Sequence, residues 1–156
     1  IHDRCWTVAR RKRHGLQDDD TCVICAQSSE TIDHLLTTCP FSREIWYNIL
    51  RKLGWERMTP DMHTLNFPSW WLDARKQVPK AGRRGFDSLV ILVSWIVWKE
   101  RNDRTFDRCV RTIDEVVRRA LDEILAWSLA GFRQLELALS VLGLPAGRDL
   151  FGHVIE

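Results

Sequence analysis

Four residues in the first quarter of the chain, Cys22, Cys25, His34 and Cys39, stand in the order C-x2-C-x8-H-x4-C within TCVICAQSSETIDHLLTTCPF. Three soft sulfur donors and one imidazole in so short a window are the donor set of a tetrahedral Zn²⁺ site. The two-residue gap lets both sulfurs of one tight turn face a single ion. Ser28 to Asp33 then give the chain room to return, and His34 and Cys39 would close the site from the start and the far end of a short helical turn. A catalytic zinc keeps one coordination position open, whereas Cys3His fills all four, so the expected cofactor is one structural Zn²⁺. Two plainer readings of the same residues are a redox C-x-x-C pair and unlinked core thiols. Cys5 and Cys109 fall outside the window and are expected neither to bind the metal nor to form an obligatory disulfide, which argues for a reducing, intracellular setting, nucleus or cytoplasm.

No other constellation points to catalysis. There is no P-loop, no G-x-S-x-G and no H-E-x-x-H, and Tyr47 is followed by Asn48 and Ile49, so no Tyr-x-Asp-Asp box exists. His2, His14, His63 and His153 lie far apart without a recognisable triad. Asp18, Asp19 and Asp20 read as loop polarity before the metal turn rather than as a cation site. The chain is therefore expected not to be an enzyme.

Binding chemistry is more visible. Net charge is only +2, so the whole molecule gives no electrostatic case for nucleic acid. The distribution does: Arg10, Arg11, Lys12 and Arg13 cluster just before the metal turn, and Arg75, Lys76, Lys80, Arg83 and Arg84 form a second group. Arg10–Arg13, with Arg83 and Arg84, are the candidate phosphate contacts; the plainer reading is a solvated surface. Arg101, Arg104, Arg108 and Arg111 would form a further basic stripe if one helix ran through Cys109. Acid-first i,i+4 pairs such as Glu100–Arg104 and Asp107–Arg111 favour a salt-bridged exposed face instead. Of the eight tryptophans, Trp46, Trp95, Trp98 and Trp127 lie in apolar stripes and are expected in the core, whereas adjacent Trp70 and Trp71 project about 100° apart, so at least one should reach the surface.

The elements that must hold these groups read as helices throughout. Cys5–His14 lacks Gly and Pro and should be a first helix ending near Gly15. Pro40 starts an amphipathic helix with Ile45, Trp46, Ile49, Leu50 and Leu53 on one face, stopped by Gly54. Trp55–Ser69, with Pro60 and Pro68, reads as a connecting loop, and Trp70–Gln77 as a short helix. Phe86–Phe106 is apolar on every side in its middle and too long for an ordinary strand, which favours a buried helix. Its longest apolar run, Leu89–Trp98, is about half of the ~20 residues a membrane span needs. Thr112-x-x-Glu115 is a capping box opening a last helix through Val116, Leu121, Ile124, Leu125 and Trp127, continued by Phe132, Leu135, Leu139 and Leu142. The expected fold is all-α, a small zinc-knuckle module packed on a helical hairpin. Its organisation would be a zinc module over 1–58, a connecting segment over 59–81, the hairpin over 82–142 and a loosely held tail over 143–156.

The stretches VARRKRHGLQDDDTCVICAQSSETIDHLLTTCPFSREIW and RRGFDSLVILVSWIVWKERNDRTF resemble the zinc-binding region at the C-terminus of reverse transcriptases of plant non-LTR (LINE-type) retrotransposons. The resemblance covers Thr7–Trp46 and Arg83–Phe106, with Cys22, Cys25, His34 and Cys39 at the ligand positions. It implies a non-catalytic accessory module that follows a polymerase and helps to hold RNA or DNA. The chain shows no polymerase core, endonuclease or RNase H, so it reads as an excised domain or as a module captured by a host gene. In the captured case the zinc would fold a protein-interaction or regulatory surface with no nucleic-acid role, and exposed tryptophans would meet the partner.

Overall fold

The computed structural model describes residues 14–15 and 19–130, without the side chain of Leu129. The expected first helix, with Arg10, Arg11, Lys12 and Arg13, and the apolar stripe beyond Ala130 lie outside these residues.

Pro40 pre-sets the backbone angle of the first helical residue and has no N–H to waste there, so α1 (Pro40–Lys52) begins on it. The helix ends where Gly54 takes a positive φ of 71°. Ile45, Trp46, Ile49 and Leu50 are fully buried, as their spacing predicts. The segment up to α2 (Phe67–Gln77) is more than a connector. Trp55 and Met58 turn inward around a short 3-10 turn, and Trp70 donates from Nε1 to the Met58 carbonyl at 2.8 Å. Asn66 caps α2 by accepting from the Ser69 N–H.

The long apolar stretch is a helix, α3 (Arg83–Asn102). It does not continue to Cys109: the chain widens into a π-helical turn over Asp103–Asp107 and stops at Arg108, a non-glycine residue in the left-handed region with φ 51°. Thr112 and Glu115 then form the reciprocal capping box of α4 (Ile113–Leu129). One contiguous core joins these elements. α4 lies against both α1 and α3, and α2 against α3. Ring contacts seal the centre, Trp46 to Trp70 at 4.8 Å and Trp55 edge-on to Phe86 at 5.6 Å. The fold is all-α; among the described residues the sole extended pairing is an isolated bridge between Thr21 and Ser29. No described helix is long and apolar enough to cross a membrane.

Two expectations are corrected. Trp95 is not core: it is 48% exposed and its neighbour one turn back, Ile91, is 52% exposed. A helix that is apolar all round gives no sequence signal for which face its neighbours will cover, and here they leave this one open. The adjacent tryptophans divide as expected: Trp70 is buried, its indole N–H finding a carbonyl inside, and Trp71 is half-buried and donates to Asp87 Oδ1 at 2.9 Å. The arginines after Trp98 are salt-bridged, as the acid-first pair Glu100–Arg104 favours, but the face is largely buried rather than exposed. Arg101 is 1% exposed, and Arg104 and Arg111 converge on the buried Glu100 at 2.8 and 3.0 Å, with Asp103 completing the cluster on Arg111. The hydrogen bonds that Arg111 donates to these carboxylates, Glu100 first, push its guanidinium further up.

Candidate metal centre

The chain from Asp19 to Cys39 is organised by local hydrogen bonds before any metal is considered. Asp19 accepts from the N–H of Thr21, and the Cys22 N–H donates to the Ser28 carbonyl at 2.8 Å, folding the first pair of cysteines into a knuckle. Ala26 closes that knuckle by donating to the Cys22 carbonyl at 2.8 Å, with φ at 54°. The second pair sits on a widened helical turn, His34–Thr38, whose end is marked by the Cys39 N–H donating to the His34 carbonyl at 2.7 Å. Cys39 is also the N-cap of α1, so its sulfur lies at the positive end of a helix.

These turns bring Cys22, Cys25, His34 and Cys39 together, with all four donor atoms within 4.8 Å of one another. Zn–S and Zn–N bonds of about 2.3 and 2.05 Å give a tetrahedron with edges of roughly 3.5–3.8 Å. The contact of 3.3 Å between Cys25 Sγ and His34 Nε2 is close to such an edge. Nε2 faces the sulfurs and Nδ1 lies 3.3 Å from Thr38 Oγ1, so a metal on Nε2 would leave the ring proton on Nδ1, directed at that hydroxyl. The thiol of Cys22 is pushed up to about 12, first by its hydrogen bond to Cys39 and then by burial. Cys39 moves down, chiefly through the same bond, with help from the backbone N–H groups of Ser42 and Phe41. The donor set, its closure and its burial fit one structural zinc ion, and leave no coordination position for substrate.

The surroundings hold the site against the helices. Ser42 Oγ and Trp46 Nε1 donate to the carbonyls of Leu35 and Leu36 at 2.6 and 2.8 Å, so α1 satisfies the backbone of the ligand-bearing turn. Glu30, fully buried between the two ligand pairs, accepts from Arg101 Nε at 3.0 Å. Arg101 Nη2 is 2.8 Å from the same oxygen but is not aligned for a hydrogen bond with it. Arg104 reaches the Ile24 carbonyl at 3.4 Å and lays its guanidinium over Phe41 at 4.5 Å. These supporting residues escaped the sequence reading, since Glu30 and Arg101 are 71 positions apart and no local spacing links them. Cys109 is a free thiol. Among the candidate phosphate contacts, Arg83 is half-buried and donates to the carbonyls of Val78 and Lys76 at the end of α2, whereas Arg84 is exposed and its guanidinium has no partner among the described residues.

Residues 1–46 match the family described as zinc-binding in reverse transcriptase. All four cysteine and histidine ligands fall inside the match, which ends at Trp46, the residue that ties α1 to the ligand turn. The remaining 110 residues, α3 among them, lie outside it. No curated protein and no solved structure matches the chain.

Proposed function

We propose that this is a non-catalytic, zinc-organised module that binds RNA or DNA as an accessory region derived from a LINE-type retrotransposon reverse transcriptase, acting in the nucleus or cytoplasm. The observation that carries the reading is the family match, which spans the basic run Arg10–Arg13 and the complete ligand set in one segment. A closed Cys3His centre supplies rigidity, not chemistry. The lysine and arginine side chains of that run, close to the ligand set in sequence, would neutralise phosphates, and Arg84 offers a further exposed cation on α3. The test is a salt titration of binding to single-stranded RNA, single-stranded DNA and duplex. Changing Arg10, Arg11, Lys12 and Arg13 to Ala should flatten the salt slope by up to about three or four units, each lost phosphate contact removing roughly 0.7–0.9. A folded, zinc-loaded chain that binds none of the three at low salt would overturn the reading.

A further inference from the structure

The face of α3 that its neighbours leave open is not a random apolar patch. Residues 84, 91, 95 and 99 recur at helical spacing, so Arg84, Ile91, Trp95 and Lys99 share one stripe about 22 Å long. Cations stand at its two ends and a half-exposed tryptophan lies between them. Lys99 Nζ lies 5.0 Å from the centre of the Trp95 ring, over its face. Beside the stripe runs a cleft of about 210 Å³, walled by Phe67 and Trp71 of α2 and by Ile32 and Leu36 of the segment carrying the zinc ligands, with Trp98 within it. Of the acids around this face, Asp87 is paired with Arg75 at 2.9 Å and holds the Trp71 indole N–H, Asp33 accepts from the Phe67 N–H at 2.8 Å, and Glu123 shares a small recess with Trp95, Lys99 and Arg119.

We propose that this face is a stacking platform for a single-stranded nucleic acid, with Trp95 taking a base, Lys99 the phosphate beside it and Arg84 a phosphate further along the strand. The inference rests on the nucleic-acid reading above and assigns it a surface outside the matched segment. An aromatic ring accepts the face of any base, while cations on the same stripe follow the backbone. Duplex is disfavoured because its base faces are already stacked and its edges lie in grooves that a recessed, apolar cleft does not enter. A purely apolar protein segment would use the cleft but not the cations.

The test uses the full zinc-loaded chain and a fluorescently labelled oligothymidylate, with anisotropy as the readout. Trp95→Leu keeps the site apolar and removes the ring; it should weaken binding about 5- to 150-fold, the range for loss of one stacked base. Trp95→Phe should retain most of the affinity, and Lys99→Ala should lower the salt slope by about 0.7. Because Trp95 is half-exposed, the melting temperature and zinc content of these variants should match the wild type. If Trp95→Leu binds as the wild type does, or if Trp95→Phe loses as much as Trp95→Leu, the platform is wrong and the cleft belongs to an apolar protein segment. That result leaves wild-type binding and its salt slope intact, whereas failure of the nucleic-acid reading abolishes both and overturns the platform with it.

Discussion

The contact between Glu30 and Arg101 makes the sharpest demand on the reasoning. Glu30 sits in the loop between the ligand pairs and Arg101 on the last turn of α3, and both are removed from water, at 0% and 1% exposure. Replacing Arg101 with Met leaves a carboxylate buried without its cation; replacing Glu30 with Gln leaves a buried guanidinium. Removal of one partner from such a pair costs about 3–5 kcal/mol. Arg101 also lies 5.4 Å over the Trp98 ring, which adds roughly 0.5–2 kcal/mol to its loss. Against a total stability on the order of 5–15 kcal/mol, each single variant should be severely weakened but still able to fold at low temperature.

The pair should also be strongly coupled. With both charges gone, as in Glu30→Leu with Arg101→Met, neither ion is stranded, so the double variant should cost no more than either single change. Urea unfolding at a fixed free zinc concentration measures the four stabilities, since metal binding to the folded state otherwise shifts the midpoint. A competing chelator measures zinc affinity in parallel. Because Glu30 belongs to the ligand loop, some of the lost energy should appear as weaker zinc binding, at most about three decades at 1.4 kcal/mol per decade. An Arg101→Met cost below about 1 kcal/mol, or additive single and double variants, would refute the argument.

Purified protein should carry one equivalent of zinc; Cys39→Ser should lose both the metal and the fold around it, with about 10 kcal/mol of binding energy at stake, while Cys109→Ser keeps one equivalent. Metal analysis decides both. Ser94 Oγ is buried on α3 without a partner, so Ser94→Ala should be neutral or stabilising by about 1 kcal/mol in urea; a clear loss would show that the hydroxyl is satisfied. Glu115 is held below its ordinary value of 4.5 by hydrogen bonds from the backbone and then the side chain of Thr112. Its folded value is the lower one, so its contribution is present above about pH 4.5 and is lost as pH falls through the folded value. Glu115→Gln should flatten that acid limb of the melting curve, and an unchanged profile would count against the capping box.

The features legible in the residues are local. The C-x2-C-x8-H-x4-C spacing specifies a ligand set because a turn and a short helical turn can reach one ion only at such separations, and the four donors do meet. Pro40 and Thr112-x-x-Glu115 mark helix starts because they act on backbone groups within a few residues, and both helices begin there. The apolar face of α1 follows from a 3.6-residue period set against polar neighbours. Tertiary structure alone decided the rest. On α3 the apolar residues run all round, so only the placement of α1, α2 and α4 determines that Val93 and Val97 are buried while Ile91 and Trp95 face out. The identical local chemistry of Trp70 and Trp71 splits because one indole meets a carbonyl of the preceding loop. Arg101 and Arg104 read as surface cations until α3 lies against the zinc loop, where Glu30 and the Ile24 carbonyl await them. A charge buried in a core is tolerable only with its partner in place, and a partner 71 residues away becomes a neighbour only when the chain has folded.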